Sequence, residues 1–129
     1  MNTYYDYALQ DYRVAEIFYT KGELNNAICS KASEATEKML KHIVELHYPD
    51  NATKASLLTT HSLTKLFNEI TKEIPGVMLD RADISALGSF YFETRYPSDD
   101  SYMVTQQDVD VAWTSLNNIR RAVDSFLGY

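Results

Sequence analysis

The run ELNNAICSKASEATEKMLKHIVELH, residues 23–47, decides the fold. Ile28, Ala32, Ala35, Met39, Ile43 and Leu46 recur at three- and four-residue steps, and Leu40 and Val44 widen that stripe to about half the circumference of a helix. A helix apolar over so wide an arc needs neighbours on two sides. Gly22 and Pro49 bound it, and at about 1.5 Å per residue it spans on the order of 35 to 40 Å, which sets the length of a bundle.

The rest of the chain supplies the neighbours. A first helix is predicted over Thr3 to Thr20, with Tyr5, Ala8, Leu9, Tyr12, Ala15 and Tyr19 on one face and a Thr3/Asp6 capping box, and Gly22 stops it. After the residue-23 to residue-47 helix comes a polar connection, PDNATKAS. A third helix follows from Ser62 to Glu73, capped by Ser62, with Leu63, Leu66, Phe67 and Ile70 inward and Pro75-Gly76 at its end. The fourth covers Leu79 to Arg95, burying Leu79, Ala86, Leu87, Phe90 and Tyr91 in spite of Gly88, which costs about 1 kcal/mol of helix propensity. The fifth starts at Thr105 in a second capping box with Asp108 and runs to Leu127, burying Ala112, Trp113, Leu116, Ile119, Val123 and Phe126. No segment alternates with period two. The expectation is an all-α, antiparallel up-and-down bundle of four to five helices filling residues 1–129 as one domain.

Composition narrows what such a bundle does. A net charge of -6 repels polyanions, so extended nucleic acid is not an expected partner unless a local basic patch receives it. One cysteine, Cys29, forms no internal disulfide, and the N-terminal residues are acidic rather than apolar, so a cytoplasmic location is expected. No apolar run is long enough for a membrane span.

Standard catalytic constellations fail on geometry. One Cys and three His do not make a zinc-cysteine site, and His42 and His47, five residues apart, diverge by about 140° around their helix. Glu34, Glu37 and Glu45 offer no Glu-x-x-His pair for a di-iron site. No phosphate-cradling glycine loop, nucleophile elbow or His-Glu-x-x-His occurs. No metal ligand, cofactor or catalytic residue is therefore assigned. Asp99 and Asp100 read as a solvated loop, with a metal as the alternative.

What remains is a set of positioned charges. In GSFYFETRYPSDD, residues 88–100, Pro97 forces Tyr96 out of the α region, so Arg95 falls at a helix end, where carbonyls and the helix dipole favour a cation. Glu16 and Arg120 fall in the stripes of the terminal helices. They are expected to lay their stems on apolar surface with their heads in water, the alternative being an ion pair between them. Glu37 and Lys41 read as a solvated i, i+4 salt bridge on the side away from Met39. His61 is expected to hydrogen-bond locally at the cap of the third helix.

In order, these features resemble a HEPN domain over essentially the whole length. Asp11 and Ala15, then Glu37-Lys38 and Lys41, look like its first two helices. His61-Ser62-Leu63 with Leu66 resembles the opening of its third, and Arg95-Tyr96-Pro97 the segment after its fourth. The resemblance implies a helical bundle, a homodimer and often a small nucleotidyltransferase as partner. Many such domains are metal-independent endoribonucleases that use an Arg followed four to six residues later by a His. From Tyr96 to Tyr129 this chain has no histidine, and its other arginines lack one in that window. The resemblance thus implies the non-nucleolytic branch, binding a nucleotide or a nucleotidyltransferase, with Arg95 and Tyr96, then Lys41 and His61, as ligand contacts. An arginine suits phosphate because its planar fork donates two parallel hydrogen bonds. Two alternatives stand beside it. One is a divergent ribonuclease using His61. The other is a homodimeric assembly built on the apolar arc of the second helix and the tyrosines of the first, without ligand.

Overall fold

The computed structural model describes residues 2–90 and 104–129. These form six helices and, among the described residues, no strand: α1 (Tyr4–Lys21), α2 (Asn25–His47), α3 (Ala52–Thr59), α4 (Leu63–Glu73), α5 (Arg81–Gly88) and α6 (Gln106–Leu127). The expected all-α bundle is the fold. No helix among the described residues is long and apolar enough to cross a membrane.

The helix ends follow local chemistry. Both anticipated capping boxes form, Thr3 with Asp6 and Thr105 with Asp108. Gly22 closes α1 in the left-handed region at φ 69°, where a Cβ is strained. Leu24 then sits left-handed as well, at φ 58°, and α2 begins at Asn25 without a side-chain cap, two residues later than the periodicity implied. That tight turn folds α2 back along α1. A left-handed Leu stores roughly 1 to 3 kcal/mol of strain that the packing of α2 offsets.

Helix α2 is the axis of the molecule, packing on α1, α6, α4, α3 and α5. Ile28, Ala32, Ala35, Met39, Leu40, Ile43 and Val44 are all fully buried, facing Leu66 and Ile70 of α4, Ile84 and Leu87 of α5, and Leu116, Ile119 and Val123 of α6. Cys29 lies in this core, and burial pushes its thiol up to about 12. Leu46 departs from the stripe and is 54% exposed, because it flanks a cleft against the first turns of α1 rather than a covering helix.

Three expectations need correction, and a fourth lies outside the described residues. The connection after Pro49 contains α3: the Asn51 side chain accepts from the Lys54 amide to cap it, and Leu57 anchors it in the core. Helix α5 starts at Arg81 rather than Leu79, because the Asp80 carboxylate accepts from the Ala82 amide, and Leu79 is only half-buried. The far end of the expected fourth helix, with Tyr91, Arg95 and Tyr96, and the Asp99-Asp100 pair all lie outside the described residues. Finally, Tyr5, Tyr12 and Tyr19 of α1 are half-buried rather than core. Tyr5 donates to Asp124, Tyr12 to Asn117 at 2.6 Å and Tyr19 to Asp110 at 2.9 Å, so they lace α1 to α6. Trp113, also half-buried, stacks on Tyr19 at 5.0 Å and meets the tilted ring of Tyr12 at 5.2 Å. Buried against Asp124, the Tyr5 hydroxyl is pushed up to about 12, first by desolvation and then by that hydrogen bond.

Candidate functional site

Helix α2 carries a charged arc opposite its apolar one. Lys31, Glu34, Lys38 and Lys41 follow each other at three- and four-residue steps, and Glu37 stands four residues before Lys41, which places the five on one side of the helix. Two of the elements packed on α2 reach over this arc. From α1 comes Asp11, and from the start of α4 comes His61.

Asp11 sits between Ala8 and Ala15 on the face of α1 turned to α2, and these alanines have no exposed surface. Small side chains let the helices approach, so Asp11 itself is only 7% exposed. Its carboxylate is met at 2.5 Å by the Lys38 ammonium and at 3.6 Å by that of Lys31, which also pairs with Glu34 at 3.1 Å. The hydrogen bond to Glu34 is the main reason the Lys31 ammonium holds its proton more tightly than usual.

One turn further along α2, Glu37 is a two-sided anchor. One carboxylate oxygen accepts from the Lys41 ammonium at 3.1 Å and the other lies 3.1 Å from His61 Nδ1. The expected solvated salt bridge is in fact buried: the side chains of Lys41 and Glu37 are 6% and 12% exposed. His61 likewise does not confine itself to its own helix cap, as expected, but crosses to α2. The cap is left to Ser62, whose hydroxyl accepts from the Lys65 amide.

The His61 side chain is 63% exposed and forms part of the wall of a cavity of about 400 Å³ between the start of α4 and the end of α5. Ser62, Thr64, Ser85 and Ser89 add hydroxyls to that wall. Gly88 also lines it, and a Cβ built there meets nothing within 4 Å, so the glycine leaves open space rather than relieving a clash. Of the four residues expected at a ligand, Lys41 and His61 are thus brought together through Glu37, while Arg95 and Tyr96 lie outside the described residues.

The other polar candidates separate from this site. Glu16 pairs with Arg13 on its own helix, while Arg120 lies 3.4 Å from Asp124 and 4.5 Å over the Tyr12 ring of α1, so the two form no ion pair with each other. His42 is buried, with Nε2 2.9 Å from the Tyr129 hydroxyl, whereas His47 packs edge-on against Phe126. They do not meet, as their spacing implied. Among the described residues no three His, Cys, Asp or Glu gather as a metal site would require. Glu37 is the residue whose role sequence reasoning missed. Its signal was the pairing of an acid with a lysine four residues on, and only the position of α4 turned that into a buried contact.

No curated protein and no solved structure matches the chain. The HEPN domain profile, by contrast, matches residues 1–126, which takes in α1 to α5, α6 as far as Phe126, and the Asp11, Glu37, Lys41 and His61 contacts. On that match the chain belongs to the HEPN domain family.

Proposed function

We propose that this HEPN protein binds a nucleotide, or a nucleotidyltransferase that presents one, at the cavity beside His61, without cleaving it. The observation that carries the reading is the Glu37 carboxylate holding the Lys41 ammonium and the His61 imidazole at once, with His61 set at the mouth of a hydroxyl-lined cavity of about 400 Å³. That volume lies within the roughly 300 to 1,000 Å³ of small-molecule sites. Arg95 follows Gly88 of the cavity wall by seven residues in sequence and is the proposed phosphate contact, with Tyr96 beside it. A single phosphate tolerates an acidic protein better than a long polyanion does. The non-cleaving role rests on the missing histidine after Arg95, since a positioned proton-transfer group typically contributes about a hundredfold to ten-thousandfold in rate. A homodimer in the cytoplasm belongs to the same reading.

The test is calorimetric titration of adenosine and uridine monophosphates into the wild type, Arg95→Ala and His61→Ala, with helicity followed by circular dichroism. Affinity should fall at least fivefold in each variant with the fold retained. Equal affinities would remove these residues from the site.

One contact favours a second reading, a metal-independent ribonuclease. A carboxylate on Nδ1 fixes an imidazole in the orientation that a general base needs, and Glu37 makes that contact with His61. Cleavage of single-stranded RNA in EDTA, lost on His61→Ala, would establish this reading over the first.

A further inference from the structure

A second cleft lies apart from the Glu37 site, between the first turns of α1 and the last turns of α2. It encloses about 420 Å³, and Tyr4, Tyr7, His42, Glu45 and Leu46 line it. Two of these are large apolar side chains left in the open: Tyr7 is 46% and Leu46 54% exposed. His42 has the opposite character, at 3% exposed. Its Nε2 meets the Tyr129 hydroxyl, but its Nδ1 is buried with no hydrogen-bond partner. A buried polar atom without a partner is destabilising, and native interiors leave few of them.

The electrostatics of the cleft select a ligand charge. Glu45 is its acidic wall residue, exposed, and its carboxylate has no ion-pair partner among the described residues. Asp6 adds a second negative field at His42, although its carboxylate is tied into the α1 capping box. Tyrosine faces favour cations in turn. The imidazole fits the same ligand: when Nε2–H donates to the Tyr129 oxygen, Nδ1 is left as an acceptor for an N–H donor.

We propose that this cleft is a binding site for a small amphipathic organic cation, an ammonium carried on an apolar or aromatic body. The ammonium lies between Glu45 and His42 Nδ1, and the apolar body rests on Tyr4, Tyr7 and Leu46.

The probe is phenethylammonium, compared with phenethyl alcohol and phenylacetate, titrated into the full chain while the His42 imidazole and Leu46 methyl resonances are followed by NMR. Phenethylammonium should shift both sets saturably and bind at least tenfold more tightly than the alcohol, and phenylacetate should leave them unmoved. Glu45→Gln, an exposed change that leaves the core intact, should weaken binding at least fivefold, and His42→Phe should abolish it. Unmoved resonances with phenethylammonium, equal binding of phenylacetate, or an unchanged affinity in Glu45→Gln would each overturn the proposal, whether or not His42→Phe folds.

Discussion

Replacing Glu37 by leucine tests the central contact of the site. The Lys41 ammonium lies 3.1 Å from the Glu37 carboxylate, which is its one partner among the described residues. At that distance and an effective dielectric constant near 20, the gross attraction is about 5 kcal/mol. Desolvation of both groups cancels part of it, but removing one member forfeits the attraction while the other stays buried at 6% exposure. Fully buried pairs cost roughly 3 to 5 kcal/mol when broken this way, and exposed pairs under about 1. With 12% exposure on the carboxylate side, Glu37→Leu should cost about 2 to 4 kcal/mol, lowering Tm by roughly 6 to 20 °C for a chain of this size. Glu37→Gln keeps an acceptor and should cost about half as much. The double variant Glu37→Leu, Lys41→Met removes both charges and should recover most of the loss, since apolar replacement of a buried pair is often neutral. Calorimetric melting of the four proteins closes the cycle. A Glu37→Leu melting point within 2 °C of wild type, a threshold set by about half a kcal/mol, or a double variant no better than Glu37→Leu, would refute the reasoning that Lys41 is buried at the expense of its partner.

Two further outcomes follow from the geometry. Asp11→Asn removes the carboxylate that Lys38 and Lys31 share, but both lysines are about a third exposed and swing to water. The cost should be about 1 to 2 kcal/mol, read as a lower urea midpoint at unchanged slope, and an unshifted midpoint would show that the contact contributes nothing. Burial holds the His42 pKa below its ordinary value, outweighing Asp6 and Glu45, which raise it, while His47 lowers it further. The unfolded chain therefore binds a proton that the folded one refuses, so stability falls as pH drops below about 6.5 by up to 1.4 kcal/mol per unit, until the folded imidazole titrates. The difference between wild type and His42→Phe in urea melts at several pH values isolates this, and a pH-independent difference would contradict it.

What the sequence disclosed was periodicity and punctuation. The stripe of α2, both capping boxes and the stop at Gly22 were legible because each is written within a few residues and enforced by backbone chemistry. Helix α3 was not, since its eight residues bury one side chain, Leu57, and a single anchor makes no period. Asn51, a good cap two residues after Pro49, was the signal available. The tyrosines of α1 matched a core stripe by spacing, yet spacing does not tell a buried ring from one whose hydroxyl reaches across to Asp110, Asn117 or Asp124. At the site, sequence picked Lys41 and His61 but read Glu37 as a surface partner. Contacts separated by 24 residues, as Glu37 and His61 are, depend on where a third helix docks.

The burial of these charges bears on why they are there. Helix α2 has ample apolar surface, and a leucine or methionine at positions 37 and 41 would pack the same space without desolvating two ions. A buried ion pair is thus weak evidence of a stability device. Its distinctive property is geometric: Glu37 meets the Lys41 ammonium and the His61 imidazole on opposite oxygens, so the position of α2 bears on the imidazole at the head of α4. A leucine would hold the helices together and remove the carboxylate from His61 Nδ1. The double variant described above separates these roles, because it restores packing without restoring the anchor. Under the proposed function it should melt near the wild type and still bind nucleotide at least fivefold more weakly. If instead it binds as well as the wild type, His61 needs no carboxylate to do its work, and the reason for keeping two charges buried beside α4 must be sought elsewhere.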